Sequence, residues 1–465
     1  MTARIDQSEL PSADAQRPAA TRRLHFIALL TALATFPLIF MGGLVTSNHA
    51  GMSVPDWPNS YGYNMFLFPP SQWVGGILYE HTHRLAGTIV GFLSVMLALF
   101  AWGVARKPGV RQGLIVATIV SGFWAGLTIA VVTWGSEHLS QRGRDFGNQF
   151  AVGAGGLSLV LLVASFASVR EPRRWVRWLA TGVLGMVLLQ GLLGGLRVVL
   201  IKLDLAIVHA CVAQAFFCLA VLMVVVTSRW WSCVRRDADS SSLDNRGEYF
   251  VERAAPARMA PTLTLPRSTG GGDEGNGRRL ALLGAATVCV IFLQLIVGAT
   301  MRHLDAGLAI PDLPLSYGKI LPPTSPDVLA AINHQRWVQS LDPLTFTQIW
   351  IHFGHRIGAV IVSALILWLT IGILRTQTYR GLRMPAGLLL ILLATQLTLG
   401  VLTVLLRKPA DIASAHVAVG ALTLAASFFL TVRLWRLYMP IERSAPRGFP
   451  LPDSISPSRP GLVTT

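Results

Sequence analysis

The sequence predicts an all-α polytopic membrane protein: two pseudo-symmetric four-helix bundles in tandem, plus an inserted helical hairpin in the first half, about ten transmembrane helices in all. Three observations carry this expectation. Of the 465 residues 52% are hydrophobic and only 13% charged, about half the charged share of ordinary soluble domains. Mean hydropathy is +0.53, which excludes a soluble enzyme. Apolar runs of bilayer-spanning length recur along the chain, and the second half repeats motifs of the first in the same order.

Residues 1–23 form a charged N-terminal tail. Its Asp6, Glu9 and Asp14 argue against a transit peptide, and no cleavage pattern precedes the first span. The first membrane half, 24–228, carries spans at 24–46, 80–104, 113–134, 150–169, 176–199 and 205–228. The pair within 113–169 has no counterpart later, so it is the inserted hairpin. Residues 229–279, rich in Arg, Ser, Gly and Pro, read as a disordered cytoplasmic linker. The second half, 280–437, has spans at 280–301, 348–374, 384–406 and 411–432, and residues 438–465 form a Pro- and Ser-rich tail.

A formal net charge of +16 suits nucleic acid in a soluble protein, but placement decides otherwise. With the N-terminus inside, 28 of the 39 Lys and Arg fall in inside segments and nine in outer loops; Arg84 and Arg356 lie within spans. That bias is the positive-inside rule. It predicts a multi-pass protein of the cell (inner) membrane with both termini cytoplasmic, a lipid bilayer as its surroundings and no nucleic-acid partner. Cys211, Cys218 and Cys289 in apolar runs and Cys233 in the linker form no disulfide or zinc pattern.

The repeat is gapless over twelve positions of two outer loops, Gly51 to Gly62 and Gly307 to Gly318, which share Pro55-Asp56 with Pro311-Asp312 and Ser60-Tyr61-Gly62 with Ser316-Tyr317-Gly318. Glu80-x-x-His83-Arg84 is echoed by His352-x-x-His355-Arg356. Gln190 and Gly194 precede His209 as Gln396 and Gly400 precede His416, and Asp204 and Asp411, read as helix N-caps, stand five residues before those histidines. Both copies start inside, so the repeat is parallel, about an axis along the membrane normal.

Four histidines, His83, His209, His355 and His416, therefore sit within about two turns of the outer helix ends. One membrane histidine is readily explained as a hydrogen bond to a neighbouring helix. Four at repeat-related positions point to function. Two per unit, on different helices at one depth, suit axial ligation of a flat macrocycle, for which haem is the natural candidate. Arg84, Arg356, Lys202, Arg407 and Lys408 are cations available for its propionates. The halves differ where Glu80 precedes His83 and His352 precedes His355, so a proton-moving carboxylate stands in the first half only. His81 should face away from His83, and His49, His138, His303 and His334 read as ordinary outer-loop residues.

These residues together resemble the haem A synthase family, whose members convert haem O to haem A for cytochrome oxidase. The resemblance rests on the Gly51-to-Trp57 loop, Glu80-x-x-His83-Arg84, His209, and the second set through Asp312, His355-Arg356 and His416; it covers roughly 24–105, 176–228 and 280–432. It implies oxidation of a porphyrin ring methyl to a formyl group, with haem b as cofactor on His355, His416 and Arg356. It implies haem O as substrate on His83, His209 and Arg84, with Glu80 catalytic at the reacting edge. Haem O synthase and an electron acceptor are the implied partners. The chain lacks the outer-loop cysteine pair of some members, and the hairpin lies outside the family core. The rival readings are a bis-histidine b-type cytochrome, which has no need of Glu80 in one copy only, and a transporter, whose polar residues would cluster at the midplane rather than at one rim.

Overall fold

The structure, a computed structural model, describes residues 19–134, 140–232, 234, 271–375 and 380–439. Eleven helices of eight residues or more are named here: α1 Ala19–Ser47, α2 Gly75–Trp102, α3 Pro108–Trp134, α4 Gln141–Ser165, α5 Arg174–Leu200, α6 Leu203–Thr227, α7 Gly271–His303, α8 Pro326–Val338, α9 Phe346–Arg375, α10 Arg383–Leu405 and α11 Ala410–Tyr438. All but α8 are long and apolar enough to cross a membrane. Helix is what such runs must form in lipid, where every backbone N–H and C=O needs an internal partner.

The helices extend beyond the apolar windows. α2 starts at Gly75, α4 at Gln141 and α7 at Gly271, five to nine residues before the expected spans. The polar first turns of α4 and α7 add hydrogen-bonded backbone outside the apolar stretch, which hydropathy does not register. Residues 271–279 are thus helical rather than linker, and 19–23 helical rather than tail; the remainder of the expected linker and both tails lie outside the described residues. α8, whose exposed face includes Trp337, was not expected at all.

Contacts define two closed sets of four. α1 packs on α2 and α6, and α5 on α2 and α6; α7 packs on α9 and α11, and α10 on α9 and α11. The sets meet where α1 contacts α11 and α6 contacts both α7 and α11. Small residues make this junction: Ala32, Ala220, Ala421 and Ala425 surround Ile39 and Phe217, and a Cβ on Gly43 would come within 3.0 Å of Ser414 Cβ. Close backbone approach through small side chains is how membrane helices gain packing without a hydrophobic drive between them. α3 and α4 pack chiefly on each other, with a limited contact from α4 to α2, and present apolar side chains such as Ile119 and Phe123 outward.

Asp204 and Asp411 are not N-caps. Lys202 and Pro409 hold those positions without side-chain caps, and each aspartate lies in the first helical turn, where a negative charge still opposes the positive helix end.

Candidate functional site

At the histidine-bearing end the two repeat loops adopt the same structure. Asp56 accepts hydrogen bonds from the backbone N–H of Tyr61 (2.7 Å) and Gly62 (2.8 Å), as Asp312 does from Tyr317 (2.8 Å) and Gly318 (2.9 Å). Tyr61 and Tyr317 have φ of 51° and 54°, and Gly62 and Gly318 of 76° and 75°. A left-handed pair ending in glycine is the backbone that wraps N–H groups around one carboxylate. Tyr61 and Tyr317 then donate their hydroxyls back to Ser53 and Ala309 carbonyls. Burial pushes the Asp312 carboxyl up, but the Gly318 and Tyr317 N–H groups and the Arg356 charge outweigh it and hold it below the ordinary carboxylate range.

Arg84 and Arg356 hold these loops onto their helices. Arg84 donates to the carbonyls of Asp56 (2.7 Å), Asn59 (3.0 Å) and Val54 (2.8 Å), and Arg356 to those of Asp312 (2.8 Å), Leu315 (3.0 Å) and Ile310 (2.9 Å). Glu80 and His352 complete the two straps. Glu80 accepts from Val54 N–H (2.9 Å) and Arg84 (2.8 Å), and His352 stands between two donors, Ile310 N–H 3.2 Å from Nδ1 and Arg356 Nε 3.2 Å from Nε2, of which a neutral ring accepts one. Both side chains are buried. Glu80 and His352 thus do the same architectural job with different charge.

Beneath the straps each of the four histidines rests on a glycine of the neighbouring helix. A Cβ at Gly42, Gly194, Gly298 or Gly400 would lie 3.1, 3.3, 3.0 or 3.1 Å from Cε1 of His83, His209, His355 or His416. Any larger residue would push the ring out of place. One turn earlier on the glycine's helix stands Gln190, Gln294 or Gln396, with Leu38 in the first copy. Gln294 donates to the His355 carbonyl (2.7 Å) and lies 3.0 Å from its Nδ1; Gln190 donates to the His209 carbonyl (3.1 Å). His416 Nδ1 lies 3.2 Å from the Gln396 carbonyl. The Nδ1 contacts of His355 and His416 orient those rings, and the Gln396 side-chain amide also lies 3.4 Å from His416 Nε2.

His355 and His416 face each other with ring centres 6.4 Å apart and planes at 70°. Two imidazoles on one metal need about 6.2 Å, from a metal–nitrogen bond of ~2.0 Å and roughly 1.1 Å from nitrogen to ring centre on each side. The second pair therefore fits axial ligation of a haem iron. His83 and His209 are close enough to interact electrostatically, and the Nδ1 of each is buried beside the backbone of the glycine's helix, at Leu38 and Gln190.

The first pocket has further contacts. Trp57 packs on Gly195 of α5, where a Cβ would come within 2.4 Å of the indole, and Arg197 donates to the Gly51 carbonyl (2.9 Å). The second copy has Leu313 in place of Trp57 and Val401 and Thr403 in place of Gly195 and Arg197. His81 turns away from the pocket to Ser60 Oγ (3.2 Å), between Phe68 and Trp73. Arg302 crosses between the halves: from the last turn of α7 it donates to the Gly43 carbonyl and Ser47 Oγ of α1, while Ser47 Oγ lies 3.2 Å from Ser414 Oγ of α11. His303 is the last residue of α7 rather than a loop residue. Of the other expected cations, Lys408 reaches Asp305 (3.3 Å). Gly42, Gly298 and Gln294 escaped the sequence reading, although the Gln-x-x-x-Gly spacing at 190–194 and 396–400 pointed to 294–298.

Comparison with known proteins places this architecture. The family described as Cytochrome oxidase assembly protein (COX15-CtaA) matches residues 144–428. A protein of Chelativorans sp. named Heme A synthase is 32% identical over 139 residues, 30% of this chain and 36% of that protein. One of the same name from Rhodopseudomonas palustris is 31% identical over 247 residues, 52% of this chain and 63% of the relative. In the first of these the match spans about a third of the relative's length. A Heme A synthase of Rhizobium etli aligns over 92% of both chains at 25% identity. With more than half of its length matched, the chain belongs to the COX15-CtaA family of cytochrome oxidase assembly proteins.

Proposed function

We propose that this chain is a haem A synthase, oxidising a ring methyl of haem O to the formyl group of haem A within the membrane. The observation that carries this reading is the His355–His416 pair, ring centres 6.4 Å apart on two glycine seats, with the seats repeated under His83 and His209 and a carboxylate in the first strap. Haem b, when held by His355 and His416, supplies one-electron redox chemistry.

The remaining roles belong to this chain's own side chains. His83 and His209 bind haem O in the first pocket. Glu80 is the acid–base group at its reacting edge, held by Val54 N–H and Arg84 where the second copy has a neutral imidazole. Arg84 and Arg356 act through the loops they clamp, since their guanidinium groups are engaged with backbone carbonyls. Those loops close the pockets from the aqueous side and exclude water from the reacting group. The charge bias supports an inner-membrane protein with both termini cytoplasmic and both pockets in the outer leaflet. Haem O synthase, as source of substrate, and a membrane electron acceptor are the fitting partners.

The test is expression of the chain with and without haem O synthase, followed by chromatographic and mass identification of the extracted haems. Haem A formed only when both are present supports the proposal. Haem b with unconverted haem O identifies a simple electron carrier and sinks it. Glu80→Gln should retain haem b and accumulate haem O.

A further inference from the structure

The end of the first half opposite the histidines holds a cavity that the haem chemistry does not use. It measures about 520 Å³ and is lined by Arg106, Arg170, Arg177, Ser168 and the Glu171-Pro172 turn. The cavity is built, not incidental. Its walls are the α2–α3 and α4–α5 connections, tied together by Ala105 N–H to the Ala167 carbonyl (3.0 Å) and Glu171 N–H to the Ala101 carbonyl (3.1 Å). Gly103, with φ of 61°, lets the strands of chain touch: a Cβ there would lie 2.8 Å from the Arg170 backbone.

Its charge is positive and uncompensated from within. The Glu171 carboxylate is fully buried and committed to Thr21 Oγ1 (2.8 Å) and Arg173 Nε (2.6 Å). Arg177 is 8% exposed, uses Nη1 on the Glu171 and Pro172 carbonyls, and has a buried Nε without a partner. Arg170 and Arg177 both stack on Trp102, at 5.4 and 5.2 Å from its ring centre, which fixes two guanidinium groups at one wall. Arg106 and Arg170 keep exposed guanidinium groups at this wall, and an anionic oxygen is their natural partner.

We propose that this cavity binds the phosphodiester headgroup of an anionic phospholipid. A soluble anion would need only the polar chamber, but beside it lies a second cavity of about 290 Å³ that shares the Arg106 and Ser168 walls and is lined further by Arg111 and Ile115. Ile115 and Ile119 then continue along α3, 39% and 66% exposed, as a surface for acyl chains. Basic pockets between membrane helices at the cytoplasmic side recognise lipids in this way. The lipid would pin the inserted hairpin to the first bundle.

The test uses the full chain in neutral detergent, titrated with phosphatidylglycerol or phosphatidylcholine and read by native mass spectrometry. Wild type should hold one phosphatidylglycerol in preference to phosphatidylcholine. Arg106→Gln/Arg170→Gln alters only exposed guanidinium groups, and should weaken that binding roughly thirtyfold at about fivefold per arginine. Arg375→Gln, which removes one positive charge from the same end of the second half, should not change it. Equal weakening by Arg375→Gln, or none in the double variant, overturns the site. Displacement of the lipid by millimolar inorganic phosphate overturns the lipid assignment in favour of a soluble anion.

Discussion

Gly298→Ala should disable the second pocket and leave the first intact. The new methyl carbon would stand 3.0 Å from His355 Cε1, whereas carbon atoms rest about 3.5–4.0 Å apart. The ring must retreat by roughly 0.5–1 Å, and doing so pulls its Nδ1 away from Gln294, now at 3.0 Å on the same helix. Overpacking of this kind costs about 1–3 kcal/mol, or about five- to 150-fold in ligand affinity if relief comes from the His355–His416 geometry. The readout is haem b per protein at limiting haem, with the low-spin electron paramagnetic resonance signal reporting the axial rings. Gly42→Ala, whose methyl meets His83 at 3.1 Å, should keep haem b and lose haem O conversion. Gly387→Ala, with nothing within 4 Å, is the control. Full haem b with an unaltered signal in Gly298→Ala, or equal haem loss in all three variants, would refute the seat argument.

Removing the Arg302 side chain by Arg302→Ala takes the cross-half hydrogen bonds from Gly43 and Ser47. Charge-assisted bonds contribute about 1.5–3 kcal/mol each, so the unfolding midpoint in detergent should fall, and an unchanged midpoint would show that α7 and α1 do not depend on it. Asp312 has a depressed carboxyl pKa in the folded state, so its contribution is present above the ordinary aspartate value and lost as pH falls through the folded one. Below about pH 4 wild type should therefore lose thermal stability more steeply than Asp312→Asn; parallel acid profiles would contradict this.

The hydropathy of the chain made ten spans legible because lipid leaves an apolar run no alternative to helix. It could not locate the polar helix starts at Gln141 and Gly271, since Gly271–Gly277 continues a backbone ladder without apolar side chains. α8 was hidden for the same reason: a thirteen-residue helix is too short to register as a span. The histidines were legible through repetition, whereas the seats at Gly42 and Gly298 were not, because a glycine in a helix announces neither what touches it nor from which side. Sequence spacing paired Glu80 with His83 on one face. Only the folded loop shows the same carboxylate bound to Val54 N–H and Arg84, the place His352 fills in the other half. Arg302 and Arg197 read as outer-loop charges, and their reach to Gly43 and Gly51 depends on tertiary contacts no local pattern encodes.

The Ser47–Ser414 contact spans 367 positions of chain and joins the first membrane helix to the last. At roughly 5–20 residues per second of synthesis, α1 waits about twenty seconds to over a minute in the bilayer before α11 arrives to cover it. During that interval the Gly43 face has at most the Arg302 side chain of α7 against it, and it lacks its α11 cover in any product that stops short of that helix. A truncated nascent chain thus displays, at its very beginning, the mark of its unfinished end, a surface that membrane quality control can read.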